Sequence, residues 1–293
     1  MKKHLDVISS ACTTLSTGSS FGLNPCAKAA IICVMALQTA FVQAADFANA
    51  TVVGGVVTGS TVGTVTNVNQ TSQRGAVDWT QLSTAANETL QFNLPNASAM
   101  IFNRITGSSP SSFQGAINSS GQVFIQNPNG ILFGAGSQVN VGGLVASTLS
   151  MTPGDFMNGN FVFTKDANST GTIHNLGNLT AAQGGFIALL SPSVTNEGIV
   201  SANLGKALLA AGNKVTLGLN NGSLLGYSID QGAVNALIDN KQLVQANGGE
   251  VIMSAKALDS LTSSSVNNTG EPCPTRYEPE RCPYFQAGMS LRR

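Results

Sequence analysis

Along the second half of the chain, apolar residues fall at every second position, in short runs that Asn and Gly interrupt at fixed places. The stretch Ile173-His174-Asn175-Leu176-Gly177-Asn178-Leu179-Thr180-Ala181 aligns with Val194-Thr195-Asn196-Glu197-Gly198-Ile199-Val200-Ser201-Ala202, 21 residues later. Ile238-Asp239-Asn240-Lys241-Gln242-Leu243-Val244-Gln245-Ala246 repeats it 44 residues further on, with Gln242 in the glycine place. Val266-Asn267-Asn268-Thr269-Gly270 begins a fourth copy. The shared pattern is apolar-x-Asn-x-Gly-x-apolar-x-Ala, and each full copy is followed by Gly and a second apolar run. Short strands that return at such a period predict a β-solenoid. Alternate side chains point into a narrow core, Asn and Gly turn the corners, and each coil pairs its backbone with the next. The repeated Asn175, Asn196, Asn240 and Asn268 are placed to form an amide ladder along one corner. About ten coils at roughly 4.8 Å each would stack near 50 Å tall. Alternation alone also fits a β-sandwich; the fixed Asn and Gly places favour the coil.

The first half repeats less clearly. Val123-Phe124-Ile125 and Ile131-Leu132-Phe133 are strand runs joined by Asn127-Pro128-Asn129-Gly130. Pro fixes φ at the second turn position and Gly can leave the turn at positive φ, so this is a corner between strands. The Val/Thr/Gly run from Val52 to Val68 reads as strands, as do Val77-Asp78-Trp79 and Thr89-Leu90-Gln91-Phe92. Residues 46–170 are therefore assigned to a cap and the first coils, and residues 171–270 to the repeats.

Composition agrees with this division. Between residues 46 and 270 there are 29 Gly and 26 Asn but only 7 Lys plus Arg and 10 Asp plus Glu. Charged helix formers are nearly missing, which argues against long helices. Net charge is zero and there is no basic stripe, which excludes nucleic acid as an expected partner. Residues 1–45 read as a signal peptide: Lys2, Lys3 and Lys28 precede an apolar run from Ala29 to Leu37, and Val42-Gln43-Ala44 offers small residues for cleavage. That run is too short for a confident membrane span. The leader holds Cys12, Cys26 and Cys33, so the exported body has cysteines only at Cys273 and Cys282. Residues 271–293 break the pattern with four prolines and seven charges, and are read as a truncated or frame-shifted tail.

One stretch carries a family resemblance. Val77-Asp78-Trp79, Asn87-Glu88-Thr89, Pro95-Asn96-Ala97-Ser98-Ala99, Asn103-Arg104-Ile105-Thr106-Gly107, Gly121-Gln122-Val123-Phe124, Asn127-Pro128-Asn129-Gly130-Ile131 and Val139-Asn140-Val141-Gly142-Gly143-Leu144 occur in order. Together they resemble the N-terminal secretion domain of filamentous haemagglutinin-type exoproteins, the large partner in two-partner secretion. A further Asn-Pro-Asn-Leu element of some members has only Leu94-Pro95-Asn96 as a similar stretch here. The resemblance implies an all-β, right-handed parallel β-helix with an N-terminal cap and extra-helical strands. It also implies export through the periplasm and recognition by a separate outer-membrane β-barrel transporter. The destination it implies is the medium or the cell surface. After residue 250 the chain shows no run of amphipathic barrel strands of its own.

Candidate sites follow from both readings. Asn127, Pro128, Asn129, Gly130 and Ile131 form either a structural corner or the element the transporter reads. Asn103, Arg104 and Gly107 are secretion-domain positions by resemblance; Arg104 is expected to pair with an acid or a carbonyl, and Trp79 to anchor the core or cap. His174, the one histidine after the leader, stands where Thr195 and Asp239 stand in other copies, an outward place suited to a solvated residue. Scattered acids, and the lack of calcium-repeat, nucleophile-elbow or phosphate-loop motifs, argue against an enzyme, a metal or a cofactor. The function expected is secretion targeting of an adhesin-like protein. The alternatives are a module contacting host-surface glycans or proteins, or a fragment of a haemolysin or contact-dependent toxin.

Overall fold

The computed structural model describes residues 46–258 and 263–269; the leader and the tail assigned above lie outside them. Three strands make a coil, and corresponding strands of successive coils stack into three faces. The first face runs Ala50–Gly54, Arg74–Trp79, Met100–Ile105, Gln122–Gln126, Gly143–Ser147, Phe186–Ser191, Lys206–Ala211 and Glu250–Ala255. The second runs Val57–Val62, Val65–Gln70, Thr89–Asn93, Ala116–Ser119, Gln138–Val141, Asn178–Ala181, Ile199–Ser201 and Val244–Gln245. The third runs Ser111–Phe113, Ile131–Phe133, Ile173–Asn175, Ser193–Asn196, Ala236–Asn240 and Ser264–Asn268. Within the faces the pairing is parallel, except for Ala50–Gly54 and Val57–Val62, which pair antiparallel at the N-terminal end. The chain is a parallel β-helix with an antiparallel cap.

Register follows the repeat read in the sequence. Ile173 pairs with Val194, Val194 with Ile238, and Ile238 with Val266. Beneath them, Asn175 Nδ2 donates to Asn196 Oδ1 at 2.7 Å, Asn196 to Asn240 at 2.6 Å, and Asn240 to Asn268 at 2.7 Å. The same column holds different chemistry in the earlier coils. Phe113 and Phe133 occupy it there, in register with Asn175 and stacked with ring centroids 5.4 Å apart.

The inward side chains of the three faces form one continuous core, from Val68 and Leu90 through Ile125 and Val139 to Leu209 and Ile238. A second core lies outside the first face. Two excursions leave the ribbon after first-face strands. One carries the short helix Pro153–Asn158 and the strand Val162–Thr164; the other is the hairpin of Lys214–Asn220 and Ser223–Gln231. Their three strands pair antiparallel and cover the outward residues Phe102, Phe124, Phe186 and Leu208. Phe156 stacks on Phe102 at 5.2 Å and meets Phe124 edge-on at 5.3 Å. A sheet buried on both sides needs no alternation, hence the unbroken apolar run Phe186-Ile187-Ala188-Leu189-Leu190. The excursions also explain why about ten coils is an overestimate. Seven strands of the first face are parallel, because two segments leave the ribbon.

The cap end is closed by an aromatic contact. Phe47, in the 3-10 turn Phe47–Asn49, packs edge-on against Trp79 at 5.7 Å.

Candidate functional site

The corner after Gln122–Gln126 is built from buried amides. Asn127 is fully buried; its N–H donates to the Ser147 carbonyl at 3.0 Å. Its Nδ2 donates to the Ser109 carbonyl and to Ser111 Oγ, both at 3.0 Å. Its Oδ1 accepts from the Asn129 backbone N–H and side-chain Nδ2, again at 3.0 Å. Gly130 donates back to the Asn127 carbonyl at 3.1 Å and holds φ at +123°, a conformation that favours glycine. Ile131 then enters the core and pairs with Ile173 and Ser111.

Asn129, exposed at the tip, reaches across one coil and donates to the Gly107 carbonyl at 2.9 Å. Two motif blocks that lie apart in sequence are joined by that bond. The coils approach too closely here for side chains. A Cβ on Gly107 would run into the Thr80 carbonyl, and one on Gly171 into the Pro128 carbonyl. Ser169 Oγ donates to that same Pro128 carbonyl at 2.6 Å.

Arg104 stands one coil above Asp78 in register. Its Nε and Nη2 donate to Asp78 Oδ1 and Oδ2 at 2.8 and 2.5 Å. The hydrogen bond to Asp78 and its negative charge hold the Arg104 pKa above its ordinary value, against partial burial. The planar guanidinium matches the carboxylate with two parallel bonds. Asn103, one residue earlier, points the other way. It is fully buried, accepts from Trp79 Nε1 at 3.0 Å and donates to the Phe124 carbonyl at 3.1 Å.

These corners and the first excursion enclose a groove of about 890 Å³. Arg104, Gly107, Pro128 and Asn129 line one side; Thr152, Asp155, Lys165 and Asp166 line the other. Asp155 accepts from Thr152 Oγ1 and Asp166 from Ser150 Oγ, each at 2.6 Å. The groove presents hydroxyls, amides and charges, of which Arg104, Asp155 and Asp166 are hydrogen-bonded, with no histidine or cysteine in its lining. Among the described residues, no group of three or more His, Cys, Asp and Glu is placed to hold a metal ion.

The motif residues thus divide. Arg104, Gly107, Pro128 and Asn129 meet in the groove, whereas Asn103, Asn127, Gly130 and Ile131 support it from beneath. The asparagines from Asn175 to Asn268 lie on the corner between the third and second faces, away from the groove lining. His174 is part-exposed, with Nε2 3.7 Å from Glu197 Oε2. Two contributors escaped the sequence reading. Asp78 was visible as the polar member of Val77-Asp78-Trp79, one coil before Arg104. Gln126, buried, accepts from the Met151 N–H at 2.7 Å and fixes where the excursion departs; no motif marks it.

Comparison with known proteins places this geometry. A family model described as the TPS secretion domain matches residues 42–272. The chain belongs to the TPS secretion domain family. A heme/hemopexin-binding protein of Haemophilus influenzae is 29% identical over 214 residues, covering 70% of this chain and 23% of that protein. A second Haemophilus influenzae protein of the same description is 31% identical over 120 residues, or 40% of this chain and 13% of the relative. The chain therefore spans under a quarter of the length of these relatives. The crystal structure of the HMW1 secretion domain from Haemophilus influenzae superposes with a TM-score of 0.63 at 30% identity, over 74% of this chain and 61% of that one. TPS secretion domains belong to exported proteins that are released or stay at the cell surface, and the family is not one of enzymes. Secretion targeting of an adhesin-like exoprotein fits the TPS secretion domain assignment.

Proposed function

We propose that residues 46–269 are read, during passage through the periplasm, by a separate outer-membrane β-barrel transporter of the two-partner type. The groove between the Asn127–Ile131 corner and the first excursion is the surface it reads. The observation that carries this reading is the Asn129-to-Gly107 bond, which joins both motif blocks at one open recess. Half-buried Pro128 and exposed Asn129 make the contact, buried Asn127 and Gly130 hold its shape, and the Arg104–Asp78 pair stiffens the wall.

Co-expression of the full chain with and without a cognate transporter tests the reading. Secretion into the medium is expected only with the transporter; equal release in both removes the proposal. Asn129→Ala is expected to lower secretion with little change in melting temperature, while Asn127→Ala lowers both. A second reading, contact between the domain and host-surface glycans or proteins, is favoured by the open second face.

A further inference from the structure

The second face carries a row of polar side chains. Register places Asn67, Gln91, Asn118, Asn140 and Thr180 in one outward column, which ends at Ser201, buried and accepting from Gln245 Nε2 at 3.1 Å. Every member is neutral, and every member has a hydrogen-bonding head group. No strand of this face contains Lys, Arg, Asp or Glu. Among the described residues, the side chains of Asn67, Asn118, Asn140 and Thr180 make no hydrogen bond within the protein. The buried column on the neighbouring corner is the opposite case, since its amides satisfy one another from Asn175 to Asn268.

The surroundings keep this row open. Both excursions leave from the corner between the first and third faces and fold over the first. The corners flanking the second face are mostly tight, such as Gln114-Gly115 and Leu176-Gly177 on one side and Ser120-Gly121 and Gly142 on the other. Asn140 and Thr180 are exposed, and Asn67 and Asn118 half-exposed.

We propose that this face binds a linear, uncharged polysaccharide laid along the row, across the strands. Each amide offers donors and an acceptor, which suits neighbouring sugar hydroxyls that themselves donate and accept. An anionic polymer would find no cation on these strands. A protein partner would have to satisfy every amide individually or leave it buried at a cost. The rungs repeat at roughly 4.8 Å, about the length of one sugar unit, so successive coils meet successive residues of the glycan. The inference narrows the second reading above to one ligand class and is independent of export through a transporter.

Affinity electrophoresis of the full chain in native gels containing hydroxyethyl cellulose, galactomannan or polygalacturonate tests it. Retardation is expected in at least one neutral polymer and not in polygalacturonate. The Asn118→Lys, Asn140→Lys double variant is expected to bind about tenfold more weakly, the worth of one or two hydrogen bonds, with melting temperature unchanged. If that variant fails to fold, Asn140→Ala, altered at an exposed position, is expected to weaken retardation in the same direction. Asn129→Ala, in the groove, is expected to bind as the parent does. The proposal is overturned if neither neutral polymer retards the chain, if polygalacturonate retards it equally, or if the folded face variants bind like the parent. It is also overturned if those variants instead dissolve a dimer seen by sedimentation equilibrium, which would make the face a self-association surface.

Discussion

Asn196 sits in the middle of the buried amide column. It accepts from Asn175, donates to Asn240 and donates to the Gly198 carbonyl at 3.2 Å. Replacing it by Ala leaves the Asn240 oxygen unpaired and weakens the hold on Asn175, away from water. A loss of about 3 kcal/mol is expected, measured as a lower urea midpoint with an unchanged slope; a loss under about 0.5 kcal/mol would contradict the ladder's structural role. Trp79→Phe keeps an aromatic ring but removes the donor to Asn103 and leaves part of the indole's buried volume empty, and is expected to lower stability by about 1–3 kcal/mol in the same assay. At this scale much could be read from sequence. Asn at a fixed place in each copy signals a ladder, because a short amide carries both donor and acceptor and can bond to its own image one coil away. The carbonyl that Asn129 reaches could not be read, because backbone acceptors leave no mark on residue type.

The excursions belong to the scale of elements. Phe156, on the six-residue helix, contacts Phe102, Phe124 and Phe161. Phe156→Ala is expected to cost about 3–5 kcal/mol and to expose the outer side of the first face, seen as increased binding of a hydrophobic dye. In the hairpin, Asp230 accepts from Ser228 Oγ at 2.6 Å and Thr216 Oγ1 at 2.5 Å. The Ser228 bond, then the Thr216 bond, lower its pKa below the ordinary 3.8. A carboxyl depressed by folding stabilises fully above its unfolded pKa and loses that contribution as the pH falls below it. Thermal melts from pH 5 to pH 3 are therefore expected to show a small loss of stability that Asp230→Asn reduces. The hairpin's turn, Asn221-Gly222 with both φ positive, has a recognisable sequence signature. Its docking site had none, since a strand covered on both faces looks like any other apolar run.

For the described body as a whole, burial declines toward the last coils. Gln122–Gln126 and Gly143–Ser147 are wholly buried, Glu250–Ala255 is half-buried, and Ser264–Asn268 is exposed. Stacked repeats hold one another by nearest-neighbour contacts, so amide hydrogen exchange is expected to be slowest in the first two strands and fastest in the last. Uniform protection along the stack would contradict this. The coil architecture was legible because the repeat is written in residues that turn corners. The number of coils was not, because an excursion between two copies only lengthens the spacing, as the gap of 44 residues between Val194 and Ile238 shows. The exchange of phenylalanine for asparagine along one column, at Phe133 and Asn175, bears on how the chain finds its order. A misthreaded coil that slid a ring between two amides would orphan one of them, and an amide slid between the rings would part them. Folding thus meets a built-in check on register, which only the native stacking of those coils passes.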